Sequence, residues 1–374
     1  MEMPIAAPNA VAWAVPGDPP GGLLDTVPAS PAVFLVWPRE GRPYLARTTS
    51  LRRRLRRLLR PGGAASRFLN LSEVAVRAEY WLIGSKLEGL LTMRELARRH
   101  YPDDYRQRIR LRPPPYVKLI LSHRFPRTQV TTRLSSRSAL VYGPFRTRAG
   151  AERFEKEFLD LFQIRRCQDD FEPSPEHPGC IYGEMNRCLR PCQQVVGIEE
   201  YLTEVDRVRK FLSTQGDSLL RRVAAARDRF SNALEFEAAA RQHQRYERIR
   251  EVLRLRDELA ADIDCLNGVA VTRSAQPDAV DLWFLLAGAW LAPRRFALGP
   301  SAGGPVSMDH RLRDLAGDLQ PEKPSLAERQ DHLAILARWL YSSWRDGEWL
   351  SFDDADSIPY RRLVNAIHRA SGRR

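Results

Sequence analysis

Four cysteines lie close together in a chain that contains only five. Cysteines clustered in this way are not typical of a secreted disulfide framework and indicate metal binding. Four thiolates can surround a zinc ion tetrahedrally or hold an iron–sulfur cluster, and the spacing alone does not choose between them. The remaining alternative is four unrelated buried cysteines. The candidate ligands are Cys167, Cys180, Cys188 and Cys192.

Charge provides a second indication of function. The 374 residues carry a formal net charge of +13, and such an excess of arginine favours an acidic partner, most commonly nucleic acid. A solvated basic surface without a partner is the alternative. No apolar run approaches the ~18 residues that cross a bilayer, and the first residues lack the basic start of a secretory leader. We therefore expect a cytoplasmic protein with no membrane partner.

A basic segment, LRRRLRRLLR, spans residues 51–60. Its leucines fall on one helical face, and arginines cover the rest of the surface. Such a helix can offer guanidinium groups to DNA phosphates, or can simply dock on a core through its leucines; a membrane-lying helix is a third alternative. The candidate DNA-binding residues here are Arg52, Arg53, Arg56 and Arg57.

Hydrophobic periodicity predicts a mixture of strands and helices, and therefore an α+β multidomain protein. Residues 1–29, rich in Ala, Pro and Gly, are expected to form a disordered tail. Asn232 and Glu235 have the spacing of a capping box, which predicts that a helix begins at this point. The predicted strands are 32–37, 42–46, 116–121, 128–134, 269–271, 281–286 and 290–296. The predicted helices are 51–60, 72–100, 148–162, an antiparallel pair within 198–259, and 326–344.

Seven short motifs then appear in one order between residues 116 and 259. They are YVKL (116–119), FP with VTTR (125–133), YGPF (142–145), LFQIRRC (161–167), CIYGEMNRCLRPC (180–192), EEY with FL (199–212) and LEFEAAA (234–240). This series resembles the UvrC family, which supplies the nuclease subunit of bacterial nucleotide excision repair.

The resemblance implies a cofactor and two partners. In the family the four cysteines hold a [4Fe-4S] cluster, with Zn²⁺ as the alternative here, and the partners are DNA and a UvrB-like protein. The second partner would bind the helical hairpin called UVR, where an aromatic anchor has a charged rim. A hairpin without a partner is the alternative. The implied partner-binding residues are Leu234, Glu235, Phe236 and Glu237.

The family begins with a nuclease domain named GIY-YIG, and its motifs are degraded in this chain. Tyr44 and Arg54 remain as vestigial catalytic residues, Phe34 replaces a tyrosine, and Met93 replaces the metal-binding glutamate. Arg47 replaces a lysine and joins the candidate DNA-binding residues. A thioether cannot hold Mg²⁺, which prefers oxygen ligands, so we expect DNA binding without cutting.

Two alternatives depend on the register and on the metal. Glu88 or Glu95 could supply the missing carboxylate if the register shifts, and the chain would then be a divergent excinuclease that uses Mg²⁺. A zinc-stabilised interaction module is the other alternative. The family's ribonuclease-H-like nuclease and helix-hairpin-helix tail are not recognisable.

The resemblance divides the chain into six predicted regions. These are a tail (1–29), a degenerate GIY-YIG-like α/β domain (30–106), a connecting α+β region (107–165), a four-cysteine cluster region (166–197), the UVR helical hairpin (198–260) and a small C-terminal α+β domain (261–374).

Overall fold

The computed structural model describes residues 7–13, 22–60, 69–134, 139–299, 307–320 and 324–372. The strands are β1 (Asn9–Ala12), β2 (Ala32–Pro38), β3 (Tyr44–Thr48), β4 (Ala75–Leu82), β5 (Tyr116–Ile120), β6 (Arg127–Thr131), β7 (Ala139–Gly143), β8 (Ala261–Asp262), β9 (Asn267–Arg273), β10 (Ala279–Leu286), β11 (Ala289–Trp290), β12 (Arg294–Ala297) and β13 (Glu348–Phe352). The helices are α1 (Leu23–Thr26), α2 (Leu51–Leu58), α3 (Lys86–His100), α4 (Tyr105–Arg108), α5 (Arg148–Leu159), α6 (Ile181–Glu184), α7 (Ile198–Ser213), α8 (Asp217–Asn232), α9 (Phe236–Leu253), α10 (Met308–Ala316), α11 (Leu326–Leu340) and α12 (Tyr360–Ser371).

The chain is α+β and divides into two compact units, each built from separated segments. The first unit contains residues 1–112, 267–322 and 338–374, and the second contains residues 113–266 and 323–337. The finer division into the six predicted regions stays a prediction.

The N-terminal sheet of the first unit has the order β1-β4-β2-β3, with antiparallel neighbours throughout. The strand β2 reads AVFLVWP, and its buried side chains alternate between the two faces of the sheet. The leucines of α2 pack against Phe34 and Val36 on one face. On the other face, Met93 and Leu96 of α3 pack against Val33 and Leu35. Burial on both faces fixes the register of β2.

The prediction of one helix over 72–100 was wrong in its first half, because Ala75–Leu82 forms the strand β4. Its buried residues are Ala75, Ala78 and Trp81, a three-residue spacing that imitates a helical face. Ala75 and Ala78 belong to the core under α2, whereas Trp81 belongs to the core under α3. The helix α3 begins only at Lys86, where the Ser85 side chain accepts the Glu88 N–H.

The N-terminal tail is partly ordered, contrary to the prediction. Residues 9–12 form β1 and pair with β4. Trp13 is buried, and its indole Nε1 donates to the carbonyl oxygen of Ala75 at 2.8 Å. The composition of the segment hid this anchor, because a single tryptophan is enough to hold an edge strand when its N–H finds a partner. Residues 1–6 and 14–21 of the predicted tail lie outside the described residues.

The first unit also contains a sheet from the C-terminal half of the chain. Its order is β11-β10-β9-β13, and β12 pairs with β10. The helices α10 and α12 pack their leucine and isoleucine side chains on this sheet. The strand β13 and the helices α10 and α12 were not predicted, whereas β9, β10 and α11 lie where periodicity placed them.

The second unit is built on the sheet β6-β5-β7-β8. Its core joins Val117 and Leu119 of β5 to Phe154 and Phe158 of α5 and to Phe211 of α7. Aromatic rings dominate this core, and the Phe158 and Phe211 rings stack with centroids 6.1 Å apart.

The charged segment 198–259 contains three helices rather than the predicted pair. The helix α7 packs into the core of the second unit, and α8 and α9 form the antiparallel hairpin. The predicted capping box was wrong: Asn232 is the last residue of α8, and Glu235 stands at the N-cap of α9 without a side-chain cap. The intervening Leu234 has φ of 61°, which turns the chain sharply between the helices.

In the described ranges, no helix combines the length and the apolar character needed to cross a membrane.

Candidate nucleic-acid interface

A cavity of about 510 Å³ opens in the first unit, beside β3, α2 and the start of α3. It holds four positive side chains and one carboxylate, which leaves a net charge of +3 on its walls. The lining residues are Pro31, Arg47, Thr48, Thr49, Arg54, Arg57, Ile83, Gly84, Ser85, Lys86 and Asp346. We call this space the basic cavity.

The helix α2 turns two arginines toward the basic cavity because its opposite face is buried. Leu51, Leu55 and Leu58 are at most 1% exposed, so Arg54 and Arg57, one turn apart, lie on the outer side. A guanidinium nitrogen of Arg54 donates to the Tyr44 hydroxyl at 3.0 Å. The two residues predicted to be vestigial catalytic groups are therefore in contact.

Arg47 enters the basic cavity from β3 and is partly desolvated. Burial lowers the pKa of its guanidinium, while the carboxylate of Asp346 acts in the opposite direction. Its side chain lies close to α3, since a Cβ added at Gly89 would approach the Arg47 Cδ to 3.0 Å. The guanidinium of Arg47 makes no side-chain hydrogen bond with the described residues, and the carboxylate of Asp346 in the same lining is the charge that acts on it.

Asp346, the one carboxylate in the lining, is already engaged through both oxygens. One accepts the backbone N–H of Lys86 at 2.6 Å, and the other accepts the indole N–H of Trp339 at 3.1 Å. The ammonium group of Lys86 in turn donates to the carbonyl oxygen of Trp344 at 3.0 Å. Asp346 thus closes one side of the cavity by capping the first turn of α3.

The predicted catalytic substitutions lie on core faces. Phe34 is fully buried, and its ring lies 6.2 Å from that of Tyr44 on the neighbouring strand. Met93 packs among Val33, Leu35 and Trp81. Neither side chain lines the basic cavity.

The two glutamates that could have replaced the missing ligand do not line the cavity either. Glu95 is fully buried and pairs with Arg94 and Arg98, each at 3.0 Å. Glu88 accepts the Gly84 N–H at 2.7 Å. Burial raises the pKa of Glu88 to about 7, against its hydrogen bonds to Gly84 and Ser85, and the nearby Asp281 adds to the rise.

Asp281 is a buried carboxylate to which the sequence assigned no functional role. It pairs with Arg295 at 3.0 Å and is only 1% exposed. One of its oxygens has no hydrogen-bond partner in the described structure. Its position in the strand pattern of β10 gave no indication of this environment.

The predicted DNA-binding arginines separate into three groups. Arg47 and Arg57 line the basic cavity. Arg52 donates to the Val27 carbonyl oxygen at 2.6 Å, and Arg56 pairs with Asp25. Arg53 is exposed.

The four cysteines are near neighbours in the second unit. Cys188 and Cys192 are buried, Cys180 is exposed, and Cys167 is intermediate. Burial raises the pKa of the Cys188 thiol to about 11, with the Arg190 backbone N–H acting in the opposite direction and the other three thiols adding to the rise. Burial likewise raises the pKa of Cys167.

Four sulfurs and a backbone N–H, donated by Arg190 to the Cys188 sulfur at 3.4 Å, are a donor set that suits an iron–sulfur cluster or zinc. As arranged, the described His, Cys, Asp and Glu side chains contain no group of three or more that could hold a metal ion. The thiols influence one another's pKa, which indicates that they lie near one another. Binding of one metal ion would require them to converge more closely than this.

The α8–α9 hairpin is anchored at its base and exposed at its tip. Only Leu219 and Val223 of α8 and Ile249 and Val252 of α9 are buried. At the tip, Leu234 is 72% exposed and Phe236 is 66% exposed, and Glu235 and Glu237 beside them are exposed as well. An apolar pair with an acidic rim at the end of a helical hairpin is suited to contact a protein partner.

Comparison with known proteins identifies proteins that are similar to this chain. Residues 115–211 match the model of the UvrC/Cho excinuclease middle domain, a range that covers β5, β6 and β7 of the second unit, the cysteine segment and most of α7. UvrABC system protein C of Moorella thermoacetica is 27% identical over 326 residues, or 85% of this chain and 52% of that protein. The Methylococcus capsulatus protein of the same name is 27% identical over 73% of this chain and 45% of its own length. The one from Anaeromyxobacter dehalogenans is 28% identical over 69% and 37%.

The fold is α+β, and the matched proteins belong to the UvrC/Cho class. More specifically, the chain is a UvrC-like protein that contains a UvrC/Cho middle domain. It spans about half the length of the curated relatives it matches. No solved structure matches the chain at a significant level.

Proposed function

We propose that this UvrC-like protein acts in nucleotide excision repair as a DNA-binding protein that does not cut DNA. The composition of the basic cavity carries this proposal. The cavity gathers the vestigial Arg54, the basic Arg47 and Lys86, and one carboxylate whose oxygens both accept hydrogen bonds. Phosphodiester hydrolysis by a metal-dependent nuclease needs an oxygen-rich ligand set for the cation, whereas these walls favour binding of an anion.

The hairpin tip supports pairing with a UvrB-like protein as the second element of the proposal. Phe236 and Leu234 would enter an apolar groove of that partner, and Glu235 and Glu237 would form the charged rim. The proximity of the four thiols supports the third element, a [4Fe-4S] cluster held by Cys167, Cys180, Cys188 and Cys192, with zinc as the alternative. A bound cluster would cross-link the segment between α5 and α7. The proposed binding of DNA does not depend on it.

The test is a paired binding and nicking assay on the full chain, purified without oxygen. Supercoiled and damaged plasmid DNA is incubated with the protein in Mg²⁺ or in chelator, with and without a UvrB-like protein. We expect DNA retention in both buffers and no Mg²⁺-dependent nicks.

Two outcomes would overturn the proposal. Nicking that persists in Met93→Ala but disappears in Glu88→Gln or Glu95→Gln would show a divergent excinuclease with a shifted ligand. Failure to retain DNA, together with one zinc per chain and no colour, would favour an interaction module.

A further inference from the structure

The basic cavity differs from an open basic surface in both shape and charge. Continuous duplex DNA is usually contacted by arginine and lysine on exposed ridges, where each backbone phosphate brings one negative charge. Here four cations surround a concave space of about 510 Å³, a size typical of sites that enclose a small ligand group. A phosphate at a chain end presents three free oxygens to such a recess, whereas a phosphate within the chain presents two.

The charge of the walls indicates a ligand with more than one negative charge. A phosphomonoester carries about −1.5 to −2 near neutral pH, which corresponds more closely to walls of net charge +3 than a diester does. Arginine is suited to this role because its planar fork binds phosphate oxygens in pairs. The guanidinium of Arg47 makes no side-chain hydrogen bond with the described residues and has only the charge of Asp346 acting on it, and a guanidinium nitrogen of Arg54 donates to the Tyr44 hydroxyl at 3.0 Å.

Asp346 sets the orientation of such a ligand. Because its oxygens bind Lys86 and Trp339, its negative charge stays on one side of the cavity and would repel phosphate oxygens there. The ligand is thereby directed toward Arg47, Arg54 and Arg57.

We propose that the basic cavity binds a phosphomonoester group, and specifically the terminal phosphate of a DNA strand, as found at a nick. The inference rests on the proposed function and adds to it the kind of DNA that is recognised. A non-cutting relative with this preference would occupy DNA after an incision rather than before it.

The experiment measures binding of the full chain to fluorescent duplexes in chelator. The duplexes are intact, or carry a single nick with a 5′-phosphate, a 3′-phosphate or only hydroxyl ends. We expect a phosphate-ended nick to bind about tenfold or more tightly than the hydroxyl-ended nick, since a charge-assisted contact is gained. Arg47→Gln and Arg57→Gln should each remove most of this preference, whereas Arg39→Gln, an exposed arginine outside the cavity, should keep it. Because Arg47 also packs near Gly89, the more exposed Arg57 serves as the second variant.

The outcomes separate the inference from the proposed function. Equal affinity for all nicked and intact duplexes would overturn the phosphomonoester assignment and leave non-cutting DNA binding in place. Failure to bind any duplex would overturn both. Inorganic phosphate is titrated alone as a third arm: binding of phosphate that Arg47→Gln abolishes, without a preference among DNA ends, would assign the cavity to a small phosphorylated ligand and overturn its assignment to DNA.

Discussion

Gly84 provides the sharpest test of how the first unit is assembled. A Cβ at this position would lie 2.2 Å from the carbonyl carbon of Ser274 and 2.4 Å from the Ala275 nitrogen and the Arg273 oxygen. These are backbone atoms at the end of β9, so no side-chain rotation can relieve the clash. Gly84→Ala must therefore separate the loop before α3 from the end of β9.

The expected cost lies at the upper end of the range for overpacking, about 1–3 kcal/mol. For a unit of roughly 200 residues, each kcal/mol lowers the melting temperature by about 2–4 °C, so a cost of about 2–3 kcal/mol corresponds to a decrease of roughly 4–12 °C. Tryptophan fluorescence is a selective readout, because all eight tryptophans of the chain lie in the first unit.

Gly299→Ala is the matched control. A Cβ at Gly299 meets nothing within 4 Å, its φ is not in the left-handed region, and it belongs to the same unit. We expect its melting temperature to stay within about 2 °C of the unaltered protein. If Gly84→Ala and Gly299→Ala had the same melting temperature, the close approach of residue 84 to residues 273–275 would be refuted. The joining of these two segments in one unit would then be refuted as well.

Three further predictions concern titration, cofactor and partner. Burial raises the pKa of Glu88 from 4.5 to about 7, so between these pH values the folded state holds a proton that the unfolded state releases, and stability falls as the pH rises. Glu88→Gln should therefore stabilise the first unit by up to about 3 kcal/mol at pH 8 and by much less at pH 4. Urea unfolding at the two pH values measures this difference, with Glu40→Gln as the control. An unchanged difference between the two pH values would contradict this environment of Glu88. Cys188→Ser should remove the visible absorption and most of the iron, of which about four atoms per chain are expected for a [4Fe-4S] cluster. The control variant Cys265→Ser should retain both. An unchanged iron content in Cys188→Ser would contradict the assignment. Phe236→Ala should weaken binding to a UvrB-like protein by about 2 kcal/mol in calorimetry without lowering the melting temperature. Leu202 is an exposed leucine on α7, and the control variant Leu202→Ala should bind with unchanged affinity. Equal affinities of the two variants would show that the hairpin tip is not part of the interface.

Local patterns predicted the elements in which one residue type repeats on one face. The leucines of α2 and the alternating strand β2 lie as predicted, because burial of their apolar faces decides the conformation. The strand β4 was missed because its buried residues divide between two cores, a property of tertiary packing that imitates helical spacing. The order in residues 9–13 was missed for a related reason, since a few contacts to β4 outweigh an unfavourable composition.

The candidate site shows the same limit more sharply. Tyr44, Arg47 and Arg54 could be singled out because they follow one another within eleven positions, and the structure keeps all three together. Asp346 could not be singled out, since it lies 260 positions from the Lys86 N–H that it binds. Asp346 matters for the proposed binding of phosphate, because its two hydrogen bonds hold its carboxylate on one side of the cavity. The arginines of the lining would then contact the ligand. A sequence motif predicts which catalytic groups have changed, whereas Asp346, which completes the lining of the basic cavity, comes from a distant segment that only the fold brings into place.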